Sequence, residues 1–229
     1  MNKVKLVAFD VDGVFLENRN SWDTVSSFLG TEKNIQNYQL FISGKISYYE
    51  WMYLDTLSWI RGSKKGYVSK EDLERAFQSI KVKVEVVDLA KRLRQSGKKI
   101  VLLSGGIDVF VRKVALMIGE DVTWFANILI FDSNGRLVPG GIPLVPAGKK
   151  GEILRRIREK LNIVKKETAF IGDSAWDKEG FTESGLSILY NGIKEELSEM
   201  KVCAVAENVE EVEKIINLYE AGEILCEDF

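Results

Sequence analysis

Histidine is absent from the 229-residue chain, which excludes Ser-His-Asp and Cys-His catalysis, phosphohistidine chemistry and any zinc site built on imidazole. Catalysis must therefore draw on carboxylates, lysine, hydroxyls or a metal. Cysteine is scarce as well. Cys203 and Cys226 are too few and too widely spaced for a metal knuckle or a disulfide framework, so the plain reading is two reduced thiols in a cytoplasmic protein. An excess of one charge is also missing: 32 basic residues against 34 acidic ones leave a net charge of -2. Without a basic footprint, nucleic acid is not an expected partner. No apolar run approaches the roughly 20 residues that would span a bilayer. The apolar N-terminal run stops at Asp10 without a small-residue cleavage site, so it reads as a strand and not as a signal peptide. No internal repeat and no low-complexity linker is present. With 45% hydrophobic and 29% charged residues, the chain reads as a soluble globular protein of one large or two small domains.

Val4 to Phe9 is a short, nearly continuous apolar run, the pattern of a parallel strand buried on both faces. From about Val84 the chain alternates. Val84 to Ser96 is helical, KKIVLLSGG is a strand running into glycines, and Asp108 to Ile118 is helical up to Gly119. WFANILIFDSNGRLVPGG reads as two extended runs around an Asn-Gly turn. An amphipathic helix with Ile153, Leu154, Ile157 and Leu161 on one face follows, then the strand ETAFIGDS, then LSILYN, a short helix near Glu195, KVCAVA and a helix from Val209 to Tyr219. This rhythm predicts an α/β fold, a doubly wound and mostly parallel sheet whose ligands bind beyond the carboxyl ends of the strands. The stretch 15–81 breaks the rhythm with helical segments at Trp22 to Leu29, Ser47 to Trp59 and Lys70 to Gln78. It is expected to be a small helical cap inserted after the first strand, with 1–14 and 82–229 forming the core. Five of the seven tyrosines and three of the five tryptophans fall within it.

The chemistry-bearing residues cluster at strand ends. Asp10 and Asp12 flank Val11 after the first strand, and alternate residues of an extended chain point the same way, so both carboxylates can face one pocket. One can attack while the other moves a proton. Asp173 and Asp177 supply further carboxylates after a later strand. Such a cluster repels itself unless a hard cation sits within it, and magnesium is the natural choice. Ser104-Gly105-Gly106, after Ile100 to Leu103 and before a helix, offers a hydroxyl and open backbone N–H groups for an anion. Lys149 and Lys150 stand at a helix start, and the spacing to Gly151 favours Lys150 as the mobile charge that neutralises a phosphate. Together these parts make a phosphoryl-transfer centre.

In the motifs AFDVDGV, LLSGG, KGEIL and FIGDSAWD, with FANILIFDSNGRLVPG between them, the sequence resembles the haloacid dehalogenase-like superfamily and, within it, the phosphoserine-phosphatase-like branch. The resemblance covers Lys3 to about Tyr190. It implies a Rossmann-like core with a cap, and a magnesium-dependent phosphatase of small phosphorylated metabolites. Asp10 would be the nucleophile that forms an aspartyl-phosphate, and Asp12 the general acid and then the base. Asp10, the Asp12 backbone carbonyl and Asp173 would hold Mg2+, with Asp177 supporting them. Ser104, the Gly105 N–H and Lys150 would hold the phosphoryl oxygens. The second carboxylate, Asp12, favours phosphatase chemistry over carbon–halogen cleavage.

Two departures bear on specificity. The branch carries a cap glutamate and a cap arginine for the amine and carboxylate of serine. This chain has Glu17 and Arg19 near the first place and no arginine from Gly44 to Ile60, where Tyr48, Trp51, Tyr53 and Trp59 stand instead. Trp176 precedes Asp177 where the branch often reads GDGxND. An aromatic lining is expected to favour leaving groups with an apolar or planar face, although such rings are often a small domain's own core. Rival readings are a phosphotransferase or mutase on the same centre, or a regulatory module of the same fold.

Overall fold

The computed structural model describes residues 3–31, 35–192 and 200–226. Among them, six strands form a single sheet: β1 (Leu6–Phe9), β2 (Lys99–Ile107), β3 (Thr123–Asn127), β4 (Thr168–Gly172), β5 (Leu186–Tyr190) and β6 (Ala204–Ala206). Their order is β3-β2-β1-β4-β5-β6 and every pairing is parallel. Between β1 and β2 lie helices α1 (Ser21–Leu29), α2 (Ile35–Ile42), α3 (Tyr48–Gly62), α4 (Lys70–Gln78) and α5 (Val84–Gln95). Then come α6 (Asp108–Ile118), α7 (Lys150–Leu161), α8 (Lys178–Thr182) and α9 (Val209–Ala221).

The strand pattern dictates the layers. Val7 and Phe9 of β1 pack with residues of α5, α6 and α9, while Leu6 and Ala8 pack with Leu154 of α7 and Phe181 of α8. Successive side chains of a strand point to opposite faces, so a run that is apolar at every position needs helices on both sides. Burying such large side chains contributes about 1.5–3 kcal/mol each. The result is the doubly wound α/β architecture expected from the sequence.

The excursion through α1 to α4 leaves and re-enters the sheet layer side by side. Leu16 bridges Val82 antiparallel, Glu17 N–H donates to the Lys81 carbonyl, and Lys83 N–H donates to the Phe15 carbonyl. Helices α1, α3 and α4 start on side-chain caps that the sequence supplies. Asn20 accepts from Trp22 and Asp23 N–H, and Ser47 with Glu50 and Ser69 with Asp72 form reciprocal capping boxes. These helices have no separate core, since Trp59, Met52 and Leu73 belong to the same apolar cluster as β1 and α5. Trp59 is fully buried, stacks on Trp22 at 5.4 Å and donates its indole N–H to Ser26 Oγ at 2.8 Å.

Several expectations need correction. Helix α2 was not expected: Ile35, Tyr38 and Ile42 recur in IQNYQLFI at helical spacing, but the segment is short and none of its residues is buried. Strand β2 runs through Ser104-Gly105-Gly106 to Ile107, and α6 starts only at Asp108, so the glycines end a strand and do not open a helix. The Asn-Gly hairpin exists in reduced form, with two antiparallel bridges, Ile128–Ile142 and Phe131–Leu137, flanking a turn at Asn134-Gly135. Cys203 and Cys226 are joined in a disulfide with Cα atoms 5.2 Å apart. The pairing escaped the sequence reading because Cys203, just before β6, and Cys226, after α9, lie 23 residues apart in the chain and meet only in the fold. The helix expected near Glu195 lies outside the described residues. Among the described residues no helix is long and apolar enough to cross a membrane.

Candidate active site

The strand order reverses between β1 and β4, where an open α/β sheet leaves a crevice at its carboxyl edge. Asp10 sits there, its N–H donated to the Ile171 carbonyl of β4 at 2.9 Å. Asp173 follows Gly172, the last residue of β4. Parallel pairing of Phe9 with Ile171 and Leu102 with Phe9 brings the ends of β1, β2 and β4 level. Asp10, Asp12, Ser104, Gly105, Lys150 and Asp173 accordingly line one cavity of about 330 Å3. Asp177, fully buried beneath it, completes the sequence-expected set.

Each carboxylate has a distinct environment. Asp10 Oδ1 accepts the Val11 N–H at 2.7 Å, and Oδ2 lies 2.8 Å from Lys150 Nζ. Asp12 Oδ2 accepts the N–H of Ser21 at 2.8 Å, while its Oδ1 is buried without a hydrogen-bond partner. Asp177 accepts Lys150 Nζ at 2.5 Å and the N–H of Asp173 at 3.0 Å. It therefore orients the lysine and the β4 loop instead of facing the cavity. Lys150 is buried against the carboxylates, whereas Lys149 is exposed and pairs with Glu152 at 3.1 Å.

Burial raises Asp12 to about 6, helped by the Asp10 carboxylate and opposed by the Ser21 N–H and Lys150. Asp173 is pushed up to about 8 by burial and then by Asp177 and Asp10, against Arg19 and Lys150. Burial would push the Lys150 amine down, but Asp10 and Asp177 more than reverse it and keep the ammonium charged. One lysine thus serves two carboxylates, and the remaining negative charge has no full counterpart.

That imbalance tests whether a metal fits. Asp10, Asp173 and Asp177 each offer an oxygen, all within 4.8 Å of one another. Asp173 Oδ2 is buried and makes no hydrogen bond, its nearest cation being the Arg19 guanidinium at 3.3 Å. A hard-oxygen donor set with raised carboxylates and an orphaned oxygen fits a divalent cation. The chain also keeps the space clear: at Gly13, with φ +72°, a Cβ would lie 2.0 Å from Asp173 Oδ2. At Gly106 it would lie 2.9 Å from Asp12 Oδ2.

Two positions escaped the sequence reading. Asn127, fully buried at the end of β3, donates to the Gly105 carbonyl at 2.7 Å and to Tyr48 Oη at 2.9 Å, and accepts the Val145 N–H at 3.0 Å. It fixes the Ser104-Gly105 strand end and ties it to α3. Its signal was present: in WFANILIF it is the lone polar residue, placed at a strand's carboxyl end. Ser21, the first residue of α1, holds Asp12 and was legible only as a helix start. Ser104 Oγ accepts the Gly106 N–H at 3.2 Å, so that N–H is engaged within the strand end. Glu17 pairs with Lys81 at 2.6 Å on the surface, and neither it nor Arg61 is among the described residues of the cavity wall.

Comparison with known proteins places this geometry in context. Residues 4–185 match the family of haloacid dehalogenase-like hydrolases. The chain is 29% identical over 192 residues to a phosphoserine phosphatase of Methanocaldococcus jannaschii, a match covering 82% of this chain and 86% of that one. It is 28% identical over 191 residues to a probable phosphoserine phosphatase of Schizosaccharomyces pombe, covering 82% of this chain but 61% of that protein's length. A solved structure of a phospho-aspartyl intermediate analogue of phosphoserine phosphatase superposes with a TM-score of 0.73 at 25% identity, covering 93% of this chain and 98% of the other.

Proposed function

Since the chain belongs to the haloacid dehalogenase-like hydrolases, we propose that it is a magnesium-dependent phosphatase of small phosphomonoesters that works through an aspartyl-phosphate on Asp10. The observation that carries this reading is the pairing of Asp10, one oxygen pinned by Val11 N–H and the other 2.8 Å from Lys150, with an Asp12 whose Oδ1 is unpartnered in the same cavity.

The roles follow from the environments. The Asp10 carboxylate attacks phosphorus, forming an O–P bond as the bond to the leaving alcohol breaks. Asp12, raised to about 6, holds a proton more readily than an ordinary carboxylic acid and delivers it to the departing alkoxide. The resulting Asp12 carboxylate takes a proton from water, which attacks phosphorus and releases Asp10 and orthophosphate. Lys150, Ser104 Oγ and the Gly105 N–H hold the phosphoryl oxygens. Asp10, the Asp12 carbonyl and Asp173 would hold Mg2+, which supplies charge neutralisation for the phosphoryl group. Splitting hydrolysis into two displacements suits an ester whose uncatalysed hydrolysis is so slow that accelerations of order 10²¹ are needed. The helices of 15–81 act as the cap, keeping bulk water from the intermediate and selecting the leaving group. Purified protein assayed on a panel of phosphomonoesters tests the reading: phosphate release that depends on Mg2+ supports it, and none with any ester removes it.

A further inference from the structure

Tyr48 is the first residue of α3, so it brings a phenol from the helices of 15–81 to the cavity lined by Asp10, Asp12, Ser104 and Lys150. Its ring is half-buried and stands edge-on to Phe41 at 5.6 Å and to Trp51 at 5.5 Å. Those contacts fix where the hydroxyl sits. Tyr48 Oη accepts from Asn127 Nδ2 at 2.9 Å. The Asn127 amide is held the right way round for this, because its Oδ1 accepts the Val145 N–H. The phenol oxygen is therefore the acceptor in that bond, and its own proton has still to be placed.

Among the described residues, the acceptor within reach of that proton is the Gly105 carbonyl at 3.5 Å. This is longer than the roughly 2.5–3.0 Å of an O–H···O hydrogen bond. The carbonyl is also already engaged: it takes Asn127 Nδ2 at 2.7 Å and Trp22 Nε1 at 3.1 Å, which uses both lone pairs of a carbonyl oxygen. A donor left without an adequate acceptor costs free energy until a ligand supplies one. The phenol keeps its proton, since burial pushes it up to about 12 against the opposing effects of Asn127 and Lys150. The donor thus stands beside the Ser104-Gly105 strand end, the part of the cavity assigned above to the phosphoryl oxygens. Anionic oxygens are the strongest acceptors a substrate would bring there.

We propose that Tyr48 is a further substrate-binding residue, supplied by the cap, whose O–H donates to a phosphoryl oxygen of the bound ester beside Ser104 and Gly105. This rests on the phosphatase reading above and deepens it. The group recognised is the phosphate that every ester shares and not the leaving alcohol, so orthophosphate alone engages the hydroxyl as well.

The test is Tyr48→Phe, which keeps the ring against Phe41 and Trp51 and removes the hydroxyl. Two quantities are read with Mg2+ present: the dissociation constant of orthophosphate by calorimetry, and kcat/KM for p-nitrophenyl phosphate, a simple alkyl phosphate and phosphoserine. Orthophosphate binding is expected to weaken by about tenfold, the loss of one hydrogen bond to a charged group. The three kcat/KM values are expected to fall by that same factor, whatever the leaving group. If Tyr48→Phe fails to fold, Tyr48→Leu carries the comparison. An unchanged orthophosphate affinity, or a loss confined to one ester, would overturn the proposal and leave the phosphatase reading standing; the latter result would assign the hydroxyl to the leaving group. A parent protein that turns over none of the esters and binds no orthophosphate would remove both.

Discussion

Lys150 Nζ lies 2.8 Å from Asp10 Oδ2 with both side chains buried, and the same ammonium is held from beneath by Asp177. Lys150→Met keeps the stem and removes the charge, leaving two buried carboxylates without their cation. Turnover is expected to fall by about 10²–10³, as when one preorganised donor is lost. Stability should fall by about 3–5 kcal/mol, the cost of breaking a buried pair. Steady-state kinetics and a thermal melt read both; a variant that melts like the parent while keeping its kcat would contradict the assignment.

The metal-free protein should lose stability as pH rises. The carboxyl groups of Asp12 and Asp173 titrate near 6 and 8 in the fold against an ordinary value of 3.8, so the folded state binds protons more tightly than the unfolded chain. Their stabilising contribution is complete below about pH 4 and is lost as pH climbs through 6 and then 8. A divalent cation held by these carboxylates would take over the proton's role in that window. The rise in Tm on adding Mg2+ should therefore grow from pH 5 to pH 8. A shift of the same size at both pH values speaks against metal at these carboxylates.

Gly13→Ala tests the same site by shape. The added methyl would meet Asp173 Oδ2 at 2.0 Å, at a φ of +72° that L side chains rarely adopt. Backbone strain of order 1–3 kcal/mol is expected, together with a loss of Mg2+-dependent stabilisation larger than the loss in the metal-free melt. Retention of full Mg2+ response would show that Asp173 can move without consequence.

What the sequence disclosed of this site follows a physical line. Asp10, Asp12 and Asp173 were legible because polar residues interrupt apolar strands at their carboxyl ends, where the fold class puts its ligands. Lys150 could be preferred over Lys149 by spacing, yet its burial is a property of how α7 packs. Asn127 and the Cys203–Cys226 bond depend on contacts between segments distant in the chain, Ser21 on the loop that folds the start of α1 back onto Asp12, and α2 is a short helix with no buried residue. The aromatic residues were visible, but which of them form a wall and which form core was not. Trp59 is fully buried, whereas Trp51 and Trp176 face the cavity.

The disulfide predicts its own test. It closes a segment whose ends are 23 residues apart, so removing it by Cys203→Ser is expected to cost about 3 kcal/mol in the chain-entropy picture. Thiol titration of the unfolded, unreduced protein should find no free cysteine. Two free thiols, with a melt insensitive to reductant, would mean that the cysteines serve only as apolar packing.

The central claim is covalent: phosphate passes through Asp10. The most direct measurement is intact and peptide mass spectrometry of protein acid-quenched during turnover of p-nitrophenyl phosphate with Mg2+. A phosphoryl group is expected on the peptide containing Asp10, enriched in Asp12→Asn, where dephosphorylation lacks its base, and absent from Asp10→Asn. Sustained phosphate release by Asp10→Asn, or turnover with the label on another residue, would contradict the mechanism.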